Sequence, residues 1–231
     1  MNYADLQTCF APFFSLSSTQ IEQFAKYCSL LQEWNEKMNL TAIVDEDKII
    51  EKHFYDCLIP AKSPYFKGKT ILDVGSGAGF PGLVFAIAFP DKKVTLVDAT
   101  AKKCSFLSEV SKSLQLSNVT IVNKRAEELN DRDHFDLVSA RAVAPLPTLL
   151  EITAPFAKVH GIVLAMKGDK GEEELQNSHR AISLLDLHLL EKNVDELPNG
   201  EGKRVNIFFE KGAKTQKRFP RKWSEIHSKP L

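Results

Sequence analysis

Long apolar runs are missing from this chain: no stretch of its 231 residues approaches the roughly 20 apolar residues of a membrane span. Cys9 to Phe14 is too short, and lacks the basic lead-in, for a secretory signal, so a cytoplasmic protein is expected. Cysteine is scarce as well. Cys9, Cys28, Cys57 and Cys104 form no C-x-x-C pair and do not cluster with histidines, which argues against a metal site and predicts reduced, mostly buried thiols. There is no internal repeat and no low-complexity tract. Net charge is zero, with 30 Lys and Arg against 30 Asp and Glu, but that balance conceals a gradient. Residues 1–60 hold nine acids against four lysines, a balance of −5, whereas the last 21 residues hold seven basic side chains against Glu225 alone, a balance of +6. Such a tail is either a solvated end or a nucleic-acid contact. Phe219 and Trp223 among its charges favour contact, because aromatic faces stack on bases or riboses.

What the chain does have is Thr70-Ile-Leu-Asp-Val-Gly-Ser-Gly-Ala-Gly-Phe-Pro-Gly82, followed by the apolar run Leu83 to Phe89. Ile71, Leu72 and Val74 read as a short buried strand, Gly75, Gly77 and Gly79 as a tight turn, and Gly82 onward as a helix. A turn with few side chains exposes backbone N–H groups to a nucleotide-like ligand. Two registers are possible. Gly77-x-Gly79-x-x-Gly82 is the dinucleotide fingerprint; Asp73-x-Gly75-x-Gly77-x-Gly79 resembles motif I of S-adenosylmethionine-dependent methyltransferases. A carboxylate beside a diphosphate would be repelled, so Asp73 favours a cationic ligand over NAD. The plainer reading of Asp73 is a turn acid bonded to backbone amides.

At 43% hydrophobic and 26% charged residues, the chain can hold one α/β core and a smaller addition. Ser18 or Thr19 can cap a helix running to about Lys37, with Ile21, Phe24, Cys28, Leu31 and Met38 as its apolar stripe. Asn39-Leu-Thr41 ends it, and Asp45 can cap a second helix from about 46 to 58, stopped by Pro60 and Pro64. On that second helix His53 and Asp56 share a face. They could make a cap-to-core hydrogen bond or orient an RNA group. From residue 70, strands alternate with helices, as a covered parallel sheet requires. Strands are predicted at 70–74, 93–98, 119–122, 135–139 and 161–166, with a pair at 184–193 and 204–210 as an antiparallel edge. Helices are predicted at 82–89, 101–115, 125–130, 146–157 and 172–178. The expected division is a helical cap over 1–60, a nucleotide-binding core over 61–211 and a basic tail over 212–231.

Ligands of such sheets sit at the carboxyl ends of the strands. Asp98 closes the second strand 25 residues after Asp73, where an acid can accept from both ribose hydroxyls or cap the next helix. After the third strand, Ala126 is small enough for backbone contact with an adenine edge, and Glu127 can meet the adenine amino group or cap a turn. Arg141, among small and apolar neighbours at the end of the fourth strand, needs a partner, either a ligand or a structural ion pair.

Taken together, Asn35-Glu-Lys-Met-Asn-Leu-Thr-Ala42, His53-x-x-Asp56, the glycine stretch, Arg125-Ala-Glu127, Ser139-Ala-Arg-Ala-Val143 and Lys167-Gly168 resemble the RsmG family, also called glucose-inhibited division protein B. These are bacterial 16S rRNA guanine-N7 methyltransferases. The resemblance runs from about residue 20 onward. It implies a class I methyltransferase fold with a Rossmann-like, mostly parallel sheet, S-adenosylmethionine as donor, and a guanine of the 530 loop in 16S rRNA or the small ribosomal subunit as acceptor; separately from the resemblance, a monomer is expected. By position in the family motifs, cofactor contacts fall on Asp73, Gly75, Gly77, Phe80, Asp98, Ala99, Thr100, Ala126, Glu127 and Arg141. RNA contacts are expected at Asn39, His53, Lys124, Arg125, Arg141, Lys167, Arg218, Arg221 and Lys222. Cys57 stands where the family commonly has Ser, and Trp223-Ser-Glu-Ile-His-Ser228 replaces a Gly- and Pro-containing stretch. Guanine N7 has a free lone pair and no proton to lose, so no residue is assigned as acid or base. If the tail lines the RNA path, deleting it should weaken RNA binding and leave cofactor affinity alone. The rivals are an RNA- or ribosome-binding module with a pocket but no turnover, and an NAD(P)-dependent oxidoreductase.

Overall fold

The computed structural model describes residues 1–231. Two capped helices begin the chain. α1 (Tyr3–Phe10) starts in a capping box between Asn2 and Asp5, and α2 (Ser18–Met38) in one between Ser17 and Gln20, one residue before the expected caps. The α2 stripe buries Phe24, Tyr27, Cys28 and Leu31. Asn39 ends the helix in the left-handed region, φ 50°, where asparagine is tolerated.

The second expected helix is not regular. It runs as α3 (Glu46–Ile49), a π-helical segment over Ile50–Tyr55 and α4 (Asp56–Leu58), before a 3-10 turn, Ile59–Lys62, that contains Pro60. Asp45 occupies the cap position without making a side-chain cap bond. A π segment fits more residues into each turn and re-aims the side chains it carries. Here those include His53, with Asp56 directly after it.

A seven-stranded sheet follows in the order β3-β2-β1-β4-β5-β7-β6. Strands β1 (Thr70–Val74), β2 (Lys93–Asp98), β3 (Val119–Asn123), β4 (Phe135–Arg141) and β5 (Ala157–Lys167) are parallel. β6 (Leu187–Glu196) and β7 (Lys203–Lys211) add the antiparallel edge. Helices α5 (Gly82–Ala88), α6 (Ala101–Ser113), α7 (Leu146–Thr153), α8 (Gly171–Gln176), α9 (His179–Leu184) and α10 (Trp223–Ser228) cover it. Strand order reverses between β1 and β4, the crevice where open α/β sheets bind ligands.

Alternation along the strands supplies two cores. Ile71, Leu137, Ile162 and Leu164 face the helices of the chain's beginning together with α5 and α6, whereas Leu72, Val138, Val163 and Ala165 face α7 and α9. Leu6, Phe10, Phe24 and Phe54 lie in the same cluster as Leu83, Phe85 and Phe106, so the first 60 residues share a core with the sheet. No helix is long and apolar enough to cross a membrane.

Several boundaries differ from the expectation, each for a local reason. Pro155 lacks an N–H, so α7 ends at Thr153 and a 3-10 turn, Ala154–Phe156, leads directly into a β5 that starts at Ala157 rather than 161. The segment 125–130 forms only a 3-10 turn, Ala126–Glu128. The charged helix expected at 172–178 is α8, and a further short helix, α9, follows it, so the edge strand starts at Leu187 rather than 184. Helices α1, α9 and α10 were not expected.

Candidate active site at the carboxyl ends of β1, β2 and β4

The glycine turn is made by its backbone. Gly75, Gly77 and Gly79 have φ values of 71°, 58° and 100°, open to glycine and strained for other residues. The N–H groups of Gly75 and Ser76 donate to Val97 O at 2.8 and 3.0 Å, tying the turn to β2. A Cβ at Gly75 would meet Val143 at 2.7 Å; one at Gly77 would make only an ordinary contact, 3.9 Å from Gly75 O. From the cap, Tyr27 donates its hydroxyl to Ala78 O at 2.5 Å and braces the turn from α2.

Asp73 lies beneath this turn and not on its open side. It is wholly buried; Oδ2 accepts from Gly82 N–H at 3.1 Å, and Oδ1 accepts from Ser139 Oγ at 3.3 Å. Burial pushes its carboxyl up to about 6, against hydrogen bonds that pull the other way. The structure therefore places it as a brace for the start of α5, with no surface on the cleft, rather than against a cationic ligand as expected.

On the open side lies a cleft of about 160 Å³. Gly75, Asp98, Ala99, Ala126 and Glu127 line it together. Asp98 is held in place by its neighbours: Oδ2 accepts from Gly77 N–H at 2.9 Å and Oδ1 from Thr100 N–H at 2.8 Å. Gly77 and Thr100 thus act by fixing Asp98. Lys124 and Arg125, expected on an RNA path, line this same cleft. So does Trp223, which reaches it from α10.

A second cavity, about 570 Å³, opens where the cap meets the ends of β4 and β5. Its centre is Arg141. Nη1 donates to Asp56 Oδ2 at 2.7 Å and to Lys52 O at 3.1 Å, and Nη2 donates to His53 Nδ1 at 3.0 Å. Asp56 also receives Arg204 Nε at 3.1 Å. The Phe80 ring stacks on His53 with centroids 4.2 Å apart and carries the Arg141 guanidinium at 5.1 Å. Phe80 and Arg141, both expected at the cofactor, are absent from the lining of the smaller cleft and belong to this joint. Because Nδ1 of His53 accepts from arginine, its proton sits on Nε2, facing Thr41 Oγ1 at 3.0 Å. Burial and then Arg141 push this histidine down to about 3, so it stays neutral. Lys167 Nζ donates to Ala144 O at 2.8 Å and pairs with Glu174 at 2.7 Å.

Seven residues of this cavity have no counterpart in the sequence expectation as site residues: Ile43, Lys52, Met166, Asp169, Lys170, Glu174 and Arg204. None stood out in the sequence: Arg204, for one, shares its strand with Lys203, Glu210 and Lys211. Asn39 lines neither cavity; it ends α2, and Thr41, two residues on, reaches the site through His53.

The tail is packed, not free. Arg221 donates from Nε and Nη2 to the two oxygens of fully buried Glu151 on α7, at 2.8 and 2.6 Å. Phe219 is 2% exposed, in the core between sheet and α7, and Lys211 is buried against Asp133 at 2.6 Å. Arg221 and Phe219 are therefore anchors, because an unpaired Glu151 would be strongly disfavoured at that depth. Arg218 and Lys222 remain exposed.

The GidB family model, described as rRNA small subunit methyltransferase G, matches residues 20–199. The ribosomal RNA small subunit methyltransferase G of Staphylococcus epidermidis (strain RP62A) is 44% identical over 220 residues, covering 94% of this chain and 92% of that protein. The protein of the same name from Lactococcus lactis subsp. lactis (strain IL1403) is 44% identical over 222 residues, covering 94% and 93%. Among solved structures, M. jannaschii TYW2 in complex with AdoMet superposes with a TM-score of 0.57 at 18% identity, over 74% of this chain and 79% of that chain. A SAM dependent methyltransferase from Aquifex aeolicus gives 0.54 at 18% identity, over 78% and 98%. The solved structures share the fold. The family match takes in the cap, the glycine turn and the ends of β4 and β5, and on that ground the chain belongs to the rRNA small subunit methyltransferase G family.

Proposed function

We propose that this protein transfers a methyl group from S-adenosylmethionine to N7 of a guanine in the 530 loop of 16S rRNA, guanine 527 in rRNA numbering. The observation that carries the choice of atom is the condition of the ionisable groups around the larger cavity. Asp56 is shared by two arginines, Glu174 is paired with Lys167, Asp169 accepts from Lys203 N–H, and His53 has its basic nitrogen turned to Arg141. Each of these carboxylates already accepts from a cation or a backbone N–H, and the histidine faces a guanidinium. They can orient an acceptor whose lone pair is already available, which is the property of guanine N7.

The smaller cleft fits the donor. Its turn is bare of side chains where a ligand must approach, Ala126 leaves room for a purine edge, and Asp98 keeps lone pairs for ribose hydroxyls. The bound cofactor supplies an electrophilic methyl group on a sulfonium. The chain's own contribution is alignment and exclusion of water, the effects that convert a bimolecular displacement into an intramolecular one. Arg141 uses three of its five N–H groups within the joint, so two remain for guanine O6 or a phosphate. Lys170, exposed at the rim of the cavity, supplies a further cation for the RNA backbone.

The test is incubation of 16S rRNA, or of small subunits lacking the mark, with methyl-labelled donor, followed by borohydride and aniline scission at N7-methylguanine. A single cut in the 530 loop is expected, lost when that guanine is replaced by 7-deazaguanine. Label on another atom, or RNA binding without label, overturns the proposal.

A further inference from the structure

The C-terminal segment contributes a wall to the smaller cleft. Arg221 is clamped on Glu151, and the next residue of α7, Ile152, lines the cleft together with Asp98 and Ala126. Two residues after that clamp, Trp223 opens α10 and lines the same cleft, while Ile226 on the inner side of the helix is fully buried. Arg132 ties the preceding turn, donating to the carbonyls of Phe219 and Thr215 at 2.5 and 2.9 Å. The indole is thus carried on a segment fixed at four points: Arg132, Phe219, Arg221 and Ile226. It is half-buried, its outer neighbour is the His227 ring at 6.1 Å, and no protein group accepts from its N–H. The same cleft is lined by the apolar Val74, Val97, Val143 and Ala126 and by the carboxylates of Asp98 and Glu127. That is a slot for a planar, nitrogen-rich ring with a hydroxylated sugar attached.

We infer that Trp223 forms the aromatic wall of the adenine subsite, so that the C-terminal segment is a cofactor-binding element rather than an RNA-binding arm. The inference rests on the methyl-donor reading above. An aromatic face against a purine is sequence-tolerant, well-worth packing in its own right, and requires the ring to be held before the ligand arrives. The anchoring residues supply that pre-organisation.

The chain has only two tryptophans, so Trp34→Phe leaves Trp223 as the sole indole. Trp34 lies in the cap against Phe106, away from the cleft. In this variant, S-adenosylhomocysteine and adenosine should both quench or shift the emission, at the concentrations where calorimetry reports binding, and methionine should not. Trp223→Ala should weaken S-adenosylhomocysteine binding by about tenfold, with Trp223→Phe within about threefold of the parent. If homocysteine nucleoside binds by calorimetry while the emission stays unmoved and Trp223→Phe and Trp223→Ala bind alike, the wall is not there, although the methyl-donor reading survives. Should the parent protein fail to bind the nucleoside at all, both readings fall. Emission and the Phe variant decide the matter even if the Ala variant does not fold.

Discussion

The two cavities meet at the end of β4, where Arg141 and Ala142 line one and Val143 the other, yet they are built by different means. The smaller is shaped by backbone: three glycines at positive φ, strand ends in register and one carboxylate held by main-chain N–H groups. The larger is shaped by side chains from distant parts of the chain, gathered on a guanidinium: Asp56 and His53 from the cap, Arg204 from the edge strand. A cleft whose frame is backbone keeps its shape when a charged side chain elsewhere is lost. A site built from ion pairs is only as good as its most central partner.

The largest effect should therefore come from Asp56. Its carboxylate is 5% exposed and neutralises two arginines, so Asp56→Asn leaves two half-buried cations sharing a neutral amide. Breaking one side of such a cluster costs about 3 kcal/mol of stability, and methyl transfer should fall by roughly 100-fold or more because the acceptor loses its orienting groups. Cofactor affinity should change by no more than about threefold, since Asp56 is no part of the smaller cleft. Calorimetry with S-adenosylhomocysteine beside an rRNA methylation assay measures both. An equal loss in the two readouts would mean that the cavities are one energetic unit.

The complementary break is Gly75→Val. It forces a branched side chain to φ 71° and drives a Cβ to 2.7 Å from Val143. Nucleoside affinity should drop at least about tenfold, from strain of about 1–2 kcal/mol at the turn and lost room in the cleft. The Arg141 cluster should stay intact, so RNA affinity measured by filter binding should hold.

This same contrast explains what could be read from the chain alone. The glycine turn, Asp98, Ala126 and Glu127 were legible because they sit in one motif or at strand ends, and a parallel sheet must bring strand ends together. Arg141 was legible as an odd charge among small residues, and His53 and Asp56 as a pair on one helix face. Their joining was not, because the link spans 85 residues and depends on a π segment that no periodicity announces. The tail misled for a different reason. Its charge count is correct, but Arg221, Lys211 and Phe219 are buried against Glu151, Asp133 and the α7 face, and composition cannot distinguish a cation that meets solvent from one that meets a hidden carboxylate. Asp73 looked like a ligand group and proved to be covered, since an acid two residues before a glycine turn can bond the turn from below as well as from above.

pH should have the smallest effect on turnover, and it separates the two regions by sign. His53 belongs to the ion-pair cavity, and its folded value of about 3 lies below its ordinary 6.5. Between those limits the unfolded chain binds the extra proton, so this residue's contribution to stability falls as pH drops from 6.5 toward 3. Asp73 belongs to the glycine turn, and burial raises it from 3.8 to about 6. There the folded chain holds the extra proton, so its contribution rises as pH drops through 6 and is complete below 3.8. Thermal melting from pH 7.5 to pH 4.5 should therefore show less acid loss in His53→Gln than in the parent, and more in Asp73→Asn. Neither group titrates between pH 7 and 8.5, and neither transfers a proton to or from the acceptor. Accordingly kcat/KM for RNA methylation should be flat across that range; a bell centred near 7 would demand a general base and would overturn the assignment of an acceptor that has no proton to lose.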